Sequence, residues 1–240
     1  MKDVGLLYKH ALKNLFLHWT TYFILLICLI VTMFIIFILP TVLPSMNIAL
    51  FYNQPAWLTV IYPPILFLIV LLSALVSECV VNKSKMIYIV TKHFSRAQYL
   101  WSQFLATFTI VLPYVLLIFL SLVGINLYLV QTNQGDLFKT GVYWYGVLTS
   151  LLISMFLGMS AVVWHLGIRI GVSTLLLSMF IAIFVILFPM IWYVDSTDDS
   201  IADPHRLWFT FYGPLTIYLP MTILLYIFGV VFFLKKRINP

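Results

Sequence analysis

From Asn14 to Ser77 the chain contains no Asp, Glu, Lys or Arg. One bilayer crossing takes about 20 consecutive, mainly apolar residues, so this run holds more than a single span. It is broken by Pro40, Pro44, Asn47, Asn53, Gln54 and Pro55, a turn-forming cluster whose polar groups belong in water. The run therefore reads as two spans joined in a helical hairpin. Further uncharged stretches follow, and the full set of predicted spans is 20–43, 57–77, 100–128, 142–166, 171–193 and 208–234. The fold class expected is an all-α integral membrane protein, with six transmembrane helices in a single transmembrane domain over residues 1–240.

Two further patterns support this topology. Trp19, Trp57, Trp101, Trp144, Trp164, Trp192 and Trp208 all lie within a few residues of a predicted span end. Indole prefers the headgroup layer, where its ring is half buried and its N–H finds a partner. With a cytoplasmic N-terminus, the inner segments hold Lys2, Lys9, Lys13, Lys83, Lys85, Lys92, Arg96, Arg169, Lys235, Lys236 and Arg237, and the outer loops only Lys139 and Arg206. Acids lean the other way: Asp136, Asp195, Asp198, Asp199 and Asp203 fall outside, Asp3 and Glu78 inside. The positive-inside rule then places both termini in the cytoplasm. The connections are short, with outer loops near 44–56, 130–141 and 194–207 and a longer inner loop at 78–99.

Residues 3–19 read as an amphipathic helix ahead of the first span, with Val4, Leu7, Tyr8, Ala11, Leu15 and Trp19 at three- and four-residue spacing. Such a helix lies in the inner interface, apolar face down, with its lysines toward anionic headgroups. It is either a topology anchor or an elbow that moves with a cytoplasmic partner.

Composition narrows the class. Hydrophobic residues make up 63% and charged ones 8%, at a mean hydropathy of +1.10. An average soluble domain carries roughly 25% charged residues. Soluble, disordered, fibrous and nucleic-acid-binding classes are disfavoured, and the net charge of +6 reflects span ends rather than a nucleic-acid surface. Cys28 and Cys79 read as reduced structural thiols. The first 20 residues, with Lys2, Lys9 and Lys13 dispersed through them, do not read as a cleavable signal peptide.

Candidate chemistry concentrates in the inner loop. It opens at Glu78 and closes at Ser95-Arg96-Ala97-Gln98-Tyr99. Between them, Lys85 to His93 reads as a short helix presenting Met86, Ile87, Tyr88, Ile89 and Val90, flanked by Lys85 and Lys92. Five apolar side chains facing water are costly unless a partner protein or the membrane surface covers them. Elsewhere the signals are weaker. His165 and Arg169 are i, i+4 neighbours at a span end, and His10, His18, His93 and His205 show no metal-ligand spacing. Asp195, Asp198, Asp199 and Asp203 read as a solvated acidic loop, lacking the Gly turn and terminal Glu of a calcium loop. Gly141 and Gly146 are followed by Val147 and Leu148, not by the Lys-Ser/Thr of a phosphate loop. No charge sits mid-span, which argues against a proton- or ion-coupled carrier. Prolines 63, 64, 113, 189, 214 and 220 fall within spans, as fixed kinks or as hinges.

An acid at the end of the second span, a short cytoplasmic apolar helix, then Ser-Arg and an immediate third span resembles the type-2 ATP-binding-cassette (ABC) export permeases. Glu78 matches the first acid, residues 86–90 the coupling helix and Ser95-Arg96 the Ser-Arg pair. The chain departs at Cys79, where Arg is common, at Asn82 to Lys85, in place of a Gly-Thr element, and at His93, where Pro is usual. Its size and lack of a large outer domain are similar to the small permeases of lantibiotic-immunity and phenol-soluble-modulin exporters of Gram-positive bacteria.

The resemblance implies a multi-pass permease of a bacterial cell membrane, without enzymatic activity or a cofactor of its own. ATP and Mg would be bound by two copies of a separate ATPase. A second permease, identical or sister, would complete the assembly. Coupling to the ATPase would fall on Glu78, Lys85, Met86, Ile87, Tyr88, Ile89, Val90, Lys92, Ser95 and Arg96. Spans two and five would line the path, with Thr59, Tyr62, Ser73, Ser173, Thr174 and Ser178 as its polar points. That character suits an amphipathic peptide cargo, in toxin export or antimicrobial-peptide immunity. The competing readings are an ABC permease for lipid or wall polymer and a polytopic membrane enzyme or scaffold with no ATPase.

Overall fold

The computed structural model describes residues 2–38, 62–80, 94–132, 141–167, 216 and 219–235. They form α1 (Lys2–Leu17), α2 (Trp19–Met33) continued by a π-helical turn (Phe34–Ile38), α3 (Tyr62–Val80), α4 (Arg96–Gln131), α5 (Gly141–Gly167) and α6 (Leu219–Lys235), with no strand among the described residues. Trp19–Ile38, Arg96–Gln131 and Trp144–Trp164 are long and apolar enough to cross a bilayer, and Pro64–Val80 and Leu219–Lys235 are shorter apolar helices. An all-helical membrane protein follows, because in lipid only a helix or a closed barrel satisfies every backbone group internally. The predicted span at 171–193 and the outer loops lie outside the described residues.

Pro63, Pro64 and Pro220 lie at the described starts of α3 and α6, and the residues immediately before them lie outside the described set. Pro113 is different: it lies inside α4, which continues through it for 36 residues. At about 1.5 Å per residue α4 is about 54 Å long. The inner loop expected at 78–99 is narrower, since α3 runs to Val80 and α4 starts at Arg96.

α5 is the central helix. Within Trp144–Trp164, 78% of the residues of its apolar window are buried, against 22% for Trp19–Ile38 on the periphery. α3 packs on α5 most extensively, and α4 and α6 also lie against it. Two bulky apolar helices gain no hydrophobic advantage from contact in lipid, so the approach depends on small residues. Gly146, Ser150, Ser154 and Gly158 recur every fourth residue along a buried line of α5. Ser73, Ala74 and Ser77 of α3 are fully buried. At Gly158 an added Cβ would stand 2.6 Å from Ser73 Cβ and 3.0 Å from Val70 Cα, and closer still to the Val70 carbonyl oxygen.

Ring contacts give the helix directions. Phe104 stacks on Phe156 at 6.2 Å and Phe119 meets Trp144 edge-on at 6.0 Å, so α4 and α5 are antiparallel. The Tyr226 hydroxyl donates to the Phe156 carbonyl at 3.0 Å, and Trp164 lies 6.2 Å from Phe232, so α5 and α6 run parallel. α2 is tied to α4 by the buried Thr32 and Tyr114 hydroxyls, which hydrogen-bond each other, while Thr32 also donates to the Cys28 carbonyl at 2.7 Å.

The N-terminal helix is docked on protein. Leu7, Ala11 and Leu15, at i, i+4 and i+8, are buried, and the Tyr8 hydroxyl is 2.9 Å from Thr109 Oγ1 of α4. Lys9 and Lys13 are exposed on the other side beside Leu6, Phe16 and Leu17. The chain turns into α2 at His18, whose extended backbone interrupts the helix.

Gly158→Ala is expected to destabilise the protein by about 1–3 kcal/mol, the usual cost of overpacking. Gly124→Ala, where nothing lies within 4 Å of the added Cβ, is expected to be neutral or mildly stabilising. Thermal unfolding of the two variants side by side in one detergent checks the contrast.

Candidate functional site

The expected coupling segment is bounded by two described ends. On one side Glu78 lies in the last turn of α3, half-buried, two residues short of Val80. On the other side Ser95 and Gln98 form a capping box. The Ser95 hydroxyl accepts from the Gln98 N–H at 3.1 Å, and the Gln98 side-chain oxygen accepts from the Ser95 N–H at 2.9 Å. Two backbone donors at the start of α4 are thereby satisfied reciprocally, which fixes where the helix begins. Lys85, Met86, Ile87, Tyr88, Ile89, Val90 and Lys92 lie outside the described residues.

Arg96, the first residue of α4, reaches across to the far end of α6. Its guanidinium donates from one nitrogen to the carbonyls of Leu234 at 3.0 Å and Phe233 at 3.4 Å. The last carbonyls of a helix have no intrahelical donor and carry the negative end of its dipole, so a cation there is doubly favoured. Beneath this clamp, Tyr99, Leu100, Val162, Val163, Leu166 and Phe233 form a buried cluster joining the start of α4 to the ends of α5 and α6. Gly229 permits the close approach of α6, since an added Cβ there would meet Val163 Cγ1 at 2.6 Å. Arg96 and Ser95 thus meet in one place the two tasks of ending one helix and beginning another.

Of the expected path residues, Tyr62 and Ser73 are described. Ser73 is fully buried in the contact between α3 and α5, and its hydroxyl donates to the Ile69 carbonyl at 2.6 Å. Ser77 donates in the same way to the Ser73 carbonyl at 2.6 Å. Such bonds satisfy a hydroxyl within its own helix and leave it little to offer a solute. Tyr62 opens α3. Thr59, Ser173, Thr174 and Ser178 lie outside the described residues.

Among the described helices that cross, charge is confined to ends: Glu78 near the end of α3, Arg96 at the start of α4 and Lys235 at the end of α6. No group of three or more His, Cys, Asp or Glu side chains able to hold a metal occurs among the described residues. Sequence reasoning marked Ser95 and Arg96 but missed the capping box, although Ser-x-x-Gln before an apolar run is its usual signature. It also missed the bond from Arg96 to α6, which no local signal announces.

Arg96→Ala is expected to fray the last turn of α6, speeding amide exchange over Val231–Lys235 by roughly ten-fold, about 1.4 kcal/mol for a lost charge-assisted bond. Arg96→Lys, which keeps the charge but not the planar fork, is expected to fall between. Hydrogen exchange read by mass spectrometry on the detergent-solubilised chain checks both.

In comparisons with protein-family models, curated proteins and solved structures, the chain matches none.

Proposed function

We propose that the chain is the permease subunit of a bacterial ABC exporter that moves amphipathic peptides out of the cell, powered by a separate ATPase. The observation that carries this reading is the segment between α3 and α4, where Glu78, the apolar run at 86–90 and Ser95-Arg96 stand in the order of an ATPase-coupling element. Charge confined to the ends of the described apolar helices α2 to α6 supports it, because ionisable groups within the membrane are the usual mark of a carrier driven by protons or ions. Energy then has to arrive through protein contact at the membrane surface.

The finer topology in this proposal has six spans and both termini in the cytoplasm. The parallel course of α5 and α6 supports it: the chain leaves α5 at the end where α6 later finishes, and one further crossing in between would join them. Residues 171–193 supply an uncharged apolar stretch for that return. ATP binding would draw two ATPases together beneath residues 84–93 and shift the permease pair toward an outward-open state, a change of population driven by nucleotide. Arg96 would carry that displacement directly to the end of α6.

Affinity purification of the tagged chain in mild detergent, with mass spectrometry of its companions, is expected to recover a stoichiometric protein bearing a phosphate loop. Met86→Asp and Tyr88→Asp are expected to leave the chain folded and inserted while reducing that recovery, or uncoupling ATP hydrolysis from transport, by ten-fold or more. Recovery of the chain alone in several detergents refutes the proposal.

A further inference from the structure

α4, α5 and α6 leave between them an open groove of about 680 Å³. That lies within the range of about 300–1,000 Å³ typical of sites for small ligands. Its exposed lining is carbon throughout, and the one phenol on its wall, Tyr226, spends its hydroxyl on the Phe156 carbonyl. The groove follows α6 from Leu219 to Val231, a length of about 18 Å at 1.5 Å per residue. Half of a hydrocarbon core about 30 Å thick is about 15 Å. The groove is one leaflet deep.

Its two ends differ in charge. Val231 is followed one turn later by Lys235, which is exposed and forms no ion pair among the described residues. Leu100 of the lining is preceded one turn earlier by Arg96, which already holds the α6 carbonyls. Trp101, 59% exposed, belongs to the same end of the lining, next to Leu100. The opposite end, at Leu219, carries no charged residue among those described. An apolar trough capped at one end by an indole and two cations is complementary to a lipid with an anionic headgroup and an acyl chain. We propose that this groove is a binding site for an anionic phospholipid, with one acyl chain along α6 and the phosphate at Lys235 and Arg96.

The proposal is independent of the transport reading and requires only that the helices lie in a bilayer. The full chain, stripped of lipid in detergent, is titrated with phosphatidylglycerol or with phosphatidylcholine of the same acyl chains, and bound lipid is counted by native mass spectrometry. Phosphatidylglycerol is expected to be retained in preference, and Lys235→Glu to reduce its apparent affinity by about five-fold or more without affecting phosphatidylcholine, since one basic residue near the surface is worth about 1 kcal/mol toward anionic lipid. Ile227→Trp fills the groove at an exposed lining position and is expected to abolish retention of both lipids; Ile223→Trp, nearer the other end, does the same should the first fail to fold. Equal retention of the two lipids, or no effect of Lys235→Glu, overturns the headgroup assignment. Retention unchanged in a folded groove-filling variant overturns the site, as does a loss of dimer mass with lipid count unchanged, which makes the groove a contact between copies.

Discussion

Close approach of α3 to α5 at Gly158 is the constraint on which the rest of the bundle rests. Lipid tails are as apolar as leucine, so nothing squeezes these helices together from outside. What holds them is contact between backbones, and that requires side chains small enough to allow it. Gly158 touches the Val70 carbonyl region, and Ser73, Ala74 and Ser77 present a correspondingly flat face. With α3 drawn in on one side, α5 is left to take α6 at Gly229 and the aromatic ladder of α4 at Phe104 and Phe108. The interior is thus assembled from glycine and serine on one side of α5 and rings on the other.

Burying so many hydroxyls works because most of them are satisfied nearby. Ser73, Ser77, Ser102, Thr107, Ser150 and Ser160 all donate to a carbonyl three or four residues back. Thr32 and Tyr114 add a bond between helices; in membranes such bonds average about 0.6 kcal/mol. Thr21 and Gln103 are the contrast, since each is buried with a side-chain oxygen that has no hydrogen-bond partner among the described residues.

Much of the helical core is legible in the sequence, because lipid imposes a single requirement, an uninterrupted apolar stretch, that needs no knowledge of neighbours. Trp19, Trp101, Trp144 and Trp164 do fall at or near helix ends for that reason. The ends themselves are set by finer chemistry. Ser95 with Gln98 was readable as a cap, from a rule that acts over four residues. The every-fourth-residue line from Gly146 to Gly158 was equally visible but is quiet beside the large aromatics. By contrast, the docking of Leu7, Ala11 and Leu15 on α4 could not be told from docking on lipid, since both want the same amphipathic stripe. The Arg96 clamp joins residues 137 and 138 positions apart, a relation that one sequence does not carry.

The length of α4 bears on how the protein meets membranes of different thickness. Even tilted by about 40°, near the limit for such helices, a rod of about 54 Å still reaches about 41 Å along the normal, the full depth of a bilayer with its headgroups. Both ends of α4 therefore stand at or beyond the water boundary at any tilt up to that limit. α6 is fastened to the start of α4 by Arg96, so its described end is held at that same boundary.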